Sequence, residues 1–267
     1  MKPVVRCVRY SILLAGLLMA SVGGTATTTG ETAVYNRALG PVLDSAARLR
    51  WVRAIGTDQV AQLAAMIERY DARQLLDITA SNGKTALMVA SKQGDLQLVK
   101  TLSDAGARIN ATTVTNGTAL MFAVLGNRQS VAHWLFERGA DIHVIGSNGW
   151  SAVMIAAAKG HLAMLRWLVA EGADTQVRDV YRFTAMMRAV ENGHLDVASF
   201  LLSLPGAQVN ARDEYGNTSL HHAVSAVDVQ MVELLLAHGA DPDLQNRSGH
   251  SARDLAADDS PMKSLLK

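Results

Sequence analysis

Cysteine is all but missing: the 267-residue chain has one, Cys7. One thiol excludes an internal disulfide, and the rest of the chain offers none for a thiolate-held metal or a thiol nucleophile. Stability must therefore come from packing. Aromatic residues make up only 5% of the chain, which disfavours a sheet sandwich and favours packed helices. Charge of one sign is lacking as well, with 25 basic residues against 24 acidic ones. Lys2, Arg6 and Arg9 fall within the first 26 residues, which hold no acid, so the remainder carries 22 basic against 24 acidic residues. Without a basic cluster there is no footprint for nucleic acid. Gly-x-Ser-x-Gly elbows, Gly-x-Gly-x-x-Gly turns and P-loops are absent, and the scattered serines, histidines and aspartates form no triad pattern. The eight histidines show no i,i+4 ligand spacing, and His221 and His222, being adjacent, face different sides of a helix. Asp258 and Asp259 pair in a polar C-terminal turn and read as a helix cap. The expectation is a non-enzyme with no cofactor and no metal.

What is present begins with a leader. Residues 1–26 run from basic (Met1–Tyr10) through apolar (Ser11–Ala20) to small and polar (Ser21–Ala26), the layout of a secretory signal peptide. Gly24-Thr25-Ala26 is the best cleavage-site candidate and Val22-Gly23-Gly24 the next. The apolar core, Ile12–Ala20, is short beside the about 20 residues a bilayer span needs; a longer count from Val4 to Val22 includes Arg6 and Arg9. The expectation is cleavage after Ala26 and a periplasmic or secreted protein. The alternative is an uncleaved segment that anchors the chain in the membrane. Residues 27–47 read as a linker and lead-in.

From there the chain repeats. A hydroxyl residue followed by a small residue recurs at Thr85, Thr118, Ser151, Thr184, Thr218 and Ser251, at spacings of 33, 33, 33, 34 and 33. Five residues after each stands an alanine (Ala90, Ala123, Ala156, Ala189, Ala223, Ala256), and Gly-Ala pairs such as Gly139-Ala140 precede the later anchors. The hydroxyl is a good N-cap. The alanine lets a neighbouring helix approach closely. Gly94, Gly160 and Gly193, with Asn127 in the same place, stop the first helix. A second helix then presents an apolar stripe such as Leu96, Val99 and Leu102. Eight residues before each anchor, Asp77, Asn110, His143, Gln176, Asn210 and Asp243 are placed to bond their own backbone.

This pattern resembles the ankyrin repeat, whose signature is Thr-Pro-Leu-His; the nearest match is Thr218-Ser219-Leu220-His221, followed by Ala223. The resemblance runs over residues 48–267. It implies an all-α fold: a curved solenoid of helix-turn-helix pairs joined by extended β-turn fingers, with fingers and first helices forming a concave face. Three departures stand out. The signature proline is absent from every copy, and Met88, Met121, Met154 and Met187 take the histidine's place in four repeats. Asn116 and Arg182 stand where other fingers have Gly83, Gly149, Gly216 and Gly249, so those two fingers are expected to turn differently. A degenerate helix pair at 48–81, with Asp58 as N-cap, and a shortened pair from Ser251 should cap the stack. The methionines read as gap-fillers between repeats; the sharper reading is an oxidant-sensitive spine. His161 and His194, each after a repeat glycine, read as structural.

By that resemblance the chain is a protein-binding module and a monomer. Exported bacterial members accompany an enzyme such as a catalase or neutralise a toxin. A membrane-anchored scaffold is the rival reading. The candidate partner site is Trp150, Tyr181, Phe183 and Tyr215 with Arg178, Arg182 and Arg212, because interfaces concentrate energy in Trp, Tyr and Arg. The competing reading of these aromatics is packing between neighbouring fingers.

Overall fold

The computed structural model describes residues 43–256 and 261–266. The leader, most of the linker and Asp258-Asp259 lie outside them. Among the described residues the structure is helical, with one isolated bridge pair, Thr112–Thr118, and no strand. The first pair is α1 (Ser45–Gly56) and α2 (Val60–Arg69). Four of the five repeats that follow give α3 (Ala86–Gln93) and α4 (Leu96–Asp104), α5 (Ala119–Leu125) and α6 (Gln129–Glu137), α7 (Ala152–Ala158) and α8 (Leu162–Ala170), and α9 (Ala185–Glu191) and α10 (Leu195–Leu202). The fifth gives α11 (Ser219–Ser225) and α12 (Val229–Ala237), and the short α13 (Ala252–Leu255) and α14 (Pro261–Leu265) end the stack. First helices pack on first helices in chain order from α3 to α13. No described helix is long and apolar enough to cross a membrane.

The helices start where the anchors stand. Thr85, Thr118, Ser151 and Thr184 each accept the N–H three residues on, at 3.2–3.3 Å. Those N–H groups belong to Met88, Met121, Met154 and Met187, all buried. Met88, Met154 and Met187 belong to the core cluster, the gap-filling role, while Met121 borders an open groove. At the fifth anchor the bonding changes: the Thr218 hydroxyl and N–H both converge on His221 Nδ1, at 2.9 and 3.2 Å. An Nδ1 that accepts leaves the proton on Nε2, which donates to the His250 carbonyl at 3.1 Å. The buried His221 ring thus joins the fifth repeat to the cap. His194 reaches the Ala158 carbonyl of the preceding repeat in the same way, at 3.2 Å.

Several local expectations are corrected. Asn116 and Arg182 both adopt φ 62°, beside 83° at Gly149, so their fingers turn as the glycine fingers do. The α1 helix begins at Ser45, capped by Asp44, three residues before the expected boundary. Asp58 does not cap α2. It sits in the left-handed turn at φ 56° and accepts Lys84 at 2.7 Å and Lys92 at 2.8 Å, clamping the first pair to α3. Burial raises the Asp58 carboxyl, but the two lysines outweigh it and hold it below the usual aspartate value. The residues eight before the anchors do not all serve their own loops. Asn110 and Asn210 bond forward, accepting from Asp141 N and Asp241 N and donating to the Gly139 and Gly239 carbonyls. The local turn is closed by Asp141, Asp174 and Asp241, each accepting the N–H two residues on.

The left-handed turn between first and second helices recurs at Gly94, Asn127, Gly160, Gly193 and Val227. Valine is the poorest choice, since a β-branched side chain at φ 56° crowds its own backbone. Val227 is 63% exposed, so little packing offsets that strain. Val227→Gly should stabilise the protein by about 1 kcal/mol, read as a higher urea midpoint at unchanged slope; a lower midpoint would show that the turn is not strained.

Candidate functional site

The fingers leading to the second to sixth anchors occupy residues 107–117, 140–150, 173–183, 207–217 and 240–250. Neighbouring tips are linked by backbone bonds: Val114 N to Asn82 O, Ser147 N to Thr115 O, Val180 N to Asn148 O, Glu214 N to Tyr181 O and Arg247 N to Tyr215 O, at 2.9–3.1 Å. These bonds align the tips into a ridge. Tyr181 and Tyr215 stand on it at 53% and 62% exposure. Arg182, Arg212 and Arg247 are exposed beside them. The Tyr215 phenol bonds the Glu214 carboxylate, which raises it above the ordinary tyrosine value.

The other candidates are placed differently. Phe183 is buried and belongs to the core, under the Arg188 guanidinium at 4.1 Å and beside the His222 ring at 5.1 Å. Its role is packing, because one residue before the anchor points the side chain down onto the first helices. Arg178 is half-buried and spans two fingers, donating to Arg212 O at 3.3 Å and Gln208 Oε1 at 2.9 Å. Trp150 is half-buried and faces the concave side, with Arg188 over its ring at 5.2 Å. Of the seven, the structure brings Tyr181, Arg182, Arg212 and Tyr215 together as exposed groups and leaves the other three beneath or beside them.

Arg188 is the organising residue that sequence reasoning missed. It is held by Asp179, whose side chain is fully buried, and by Glu191 at 2.7 Å. Burial lowers the Arg188 value, but these carboxylates outweigh it and leave it raised. Asp179 also accepts from Tyr181 N and Phe183 N, both at 2.9 Å, so one carboxylate shapes the finger and fixes the guanidinium. The next repeat copies the device with Asp213, which accepts from His222 at 3.0 Å and from Tyr215 N and Asn217 N. The signal was available in the register: five residues before the anchors stand Thr113, Gly146, Asp179 and Asp213, and four after them Phe122, Ile155, Arg188 and His222.

In the second and third repeats neither column carries a charge: Thr113 turns its hydroxyl to Gly117 N and Thr115, Gly146 has no side chain, and Phe122 and Ile155 are apolar. There a groove of about 250 Å³ opens among Met121, Phe122, Leu125, Trp150 and Ile155. It exists because Gly146 stands where Asp179 and Asp213 fold over the first helix, and because Gly117 stands where Trp150 and Phe183 project. A wider depression of about 870 Å³ between α10 and α12 carries Asp196 and Glu233 and is a solvated surface hollow. No group of metal-ligating side chains occurs among the described residues.

Residues 52–146 and 143–213 match the family described as ankyrin repeats (3 copies), and 206–256 match ankyrin repeats (many copies). The chain belongs to the ankyrin-repeat family. The crystal structure of the human ASB11 ankyrin repeat domain superposes with a TM-score of 0.70 at 25% identity, covering 81% of this chain and 95% of that one. Local similarity reaches 51% over 51 residues with the potassium channel AKT1 of rice, which is 19% of this chain and 6% of the channel. It reaches 46% over 50 residues with a putative ankyrin repeat protein, L92, of Acanthamoeba polyphaga mimivirus, 19% of this chain and 12% of that protein. The chain thus spans a small part of the length of these relatives. Ankyrin repeats are protein-interaction modules, and the repeat fold is a binding scaffold rather than an enzyme fold.

Proposed function

We propose that this chain is an exported, monomeric protein-binding module that holds one partner protein through the fingertip ridge and the concave face beneath it. The observation that carries the reading is the pair Tyr181 and Tyr215, two large aromatics more than half exposed on adjacent fingertips that are joined by the Glu214 N–H donating to the Tyr181 carbonyl. Isolated exposed apolar residues need no explanation, but two tyrosines among three exposed arginines have the composition of an interface centre. Export rests on the three-zone leader over residues 1–26. An inhibitor of, or accessory to, an enzyme exported with it fits the same surface.

The test is capture from the periplasmic extract of the host with the tagged full chain, comparing wild type with Tyr181→Ala/Tyr215→Ala. Each hot-spot aromatic contributes about 2 kcal/mol, so the double variant should bind at least tenfold more weakly at an unchanged unfolding midpoint. Undiminished capture would remove the ridge from the reading. A protein that retains its leader mass and sediments with membranes would point to the anchored scaffold instead.

A further inference from the structure

The groove between the second and third repeats is a built feature with a chemistry of its own. Its apolar wall is Phe122, Leu125, Ile155 and Trp150, and Leu125 is 36% exposed. The equivalent space in the next two repeats is filled from within, by Asp179 on Arg188 and by Asp213 on His222. Only where glycine replaces the aspartate and an apolar residue replaces the arginine or histidine is the floor open to a guest. At about 250 Å³ the groove lies below the roughly 300–1,000 Å³ of small-molecule sites. It suits one large side chain.

Charge selects the rest of the guest. At the tips of the fourth to sixth fingers, Arg182, Arg212 and Arg247 are exposed. Of the acids there, Asp179 is neutralised by Arg188, while Asp213, buried against His222, and Glu214, bonded to the Tyr215 phenol, keep their charge, so three arginines stand against two carboxylates. The tips therefore carry an excess of positive charge, from Arg182 one repeat from the groove, Arg212 two and Arg247 three. Packed helices lie about 8–10 Å apart, and an extended chain advances about 3.3 Å per residue.

We propose that the groove receives one large aliphatic or aromatic side chain of an extended, acidic partner segment, whose carboxylates at about three and six residues from it meet the arginines of the fourth and fifth fingertips. This rests on the protein-binding reading and adds the partner's chemistry to it.

The test is fluorescence anisotropy of the full chain with two fluorescein-labelled peptides of serine and glycine. Each carries one leucine and two glutamates at three- and six-residue spacing, one peptide with the glutamates after the leucine and one with them before. One order should bind. Leucine to serine in that peptide should weaken binding at least tenfold, and glutamate to glutamine should weaken it and flatten its salt dependence. On the protein, Leu125→Glu should cost at least tenfold. So should Gly146→Asp/Ile155→Arg, which writes the Asp179–Arg188 pair into the groove; the Asn148 side chain, 2.9 Å from a Cβ at Gly146, must move aside, and an unchanged urea midpoint checks that the repeat is folded. Arg182→Gly should reduce the salt dependence and, being at a left-handed turn, leave the fold intact. Equal binding of the serine peptide, or none from either order up to roughly 1 mM, would overturn the proposal. If Tyr181→Ala/Tyr215→Ala still releases the natural partner in that case, the ridge reading stands without the groove. If it does not, both fall.

Discussion

Asp179→Ala should be the most damaging single polar substitution in the chain, costing about 3–5 kcal/mol of unfolding free energy. Two losses coincide. The Tyr181 and Phe183 amides lose their common acceptor, and the buried end of Arg188 is left with Glu191 alone. Truncating one member of a buried ion pair costs far more than replacing both, because the remaining charge stays desolvated. The double variant Asp179→Leu/Arg188→Met should therefore recover only the part of the loss that comes from the stranded charge, because the Tyr181 and Phe183 amides still lack their acceptor. Urea unfolding of the three proteins decides it. A single variant within about 0.5 kcal/mol of wild type, the ordinary range for surface changes, would mean that the pair contributes nothing.

Acid should loosen the C-terminal end through His221. Burial pushes this imidazole below the ordinary histidine value, with the hydrogen bond to the His250 carbonyl working against that; His222 and Arg212 push it further down, and Asp213 pulls it up. The folded state thus holds the ring neutral while the unfolded chain protonates it near pH 6.5. Stability is complete above that value, falls as pH drops below 6.5, and stops falling once pH is under the folded-state value. The slope is bounded at about 1.4 kcal/mol per pH unit for one proton. His161, whose ring is also lowered, chiefly by burial, adds in the same direction. Methionine fills this register position in four other repeats, so His221→Met should keep the packing and flatten the acid limb by one proton. Unfolding free energies at pH 7.5, 6.5, 5.5 and 4.5 compare the two proteins; parallel curves would exclude His221 as the titrating group.

The period, the caps and the helix pairs were legible because each rests on a local rule: a hydroxyl that caps, a small residue that lets helices approach, a residue that turns left. Asn116 and Arg182 were misread for the same reason. Locally they are not glycine, but each finger closes the same backbone turn bond, Asn116 N to Thr113 O and Arg182 N to Asp179 O, and Asn116 is further held by its side-chain bond to the Ile145 carbonyl of the next finger. Tyr181 and Tyr215 could be picked out by residue type and finger position. Phe183 and Arg178 could not be separated from them, since one residue along an extended finger decides between facing solvent and facing the helices. The groove was hidden for a different reason. It is made of what two repeats omit, and it appears only when Gly146 is compared with Asp179 and Ile155 with Arg188, positions nine apart in the chain whose side chains meet in space.

The ties between fingers are uneven. The second and third are joined by Asn110, Asn116 and a backbone bond, the fourth and fifth by Arg178 and a backbone bond, and the fifth and sixth by Asn210 and Asn246 with theirs. Between the third and fourth, where His143 replaces the clamping asparagine, Val180 N to Asn148 O is the hydrogen bond joining the described finger loops. From the second finger to the sixth, the joint with the fewest hydrogen bonds therefore lies between the groove and the tyrosines. Mechanically the finger layer is two stiff plates on a shared helical backing, able to change their mutual tilt by a small angle without unstacking a helix, so a partner whose two contact points are slightly misplaced could still seat both.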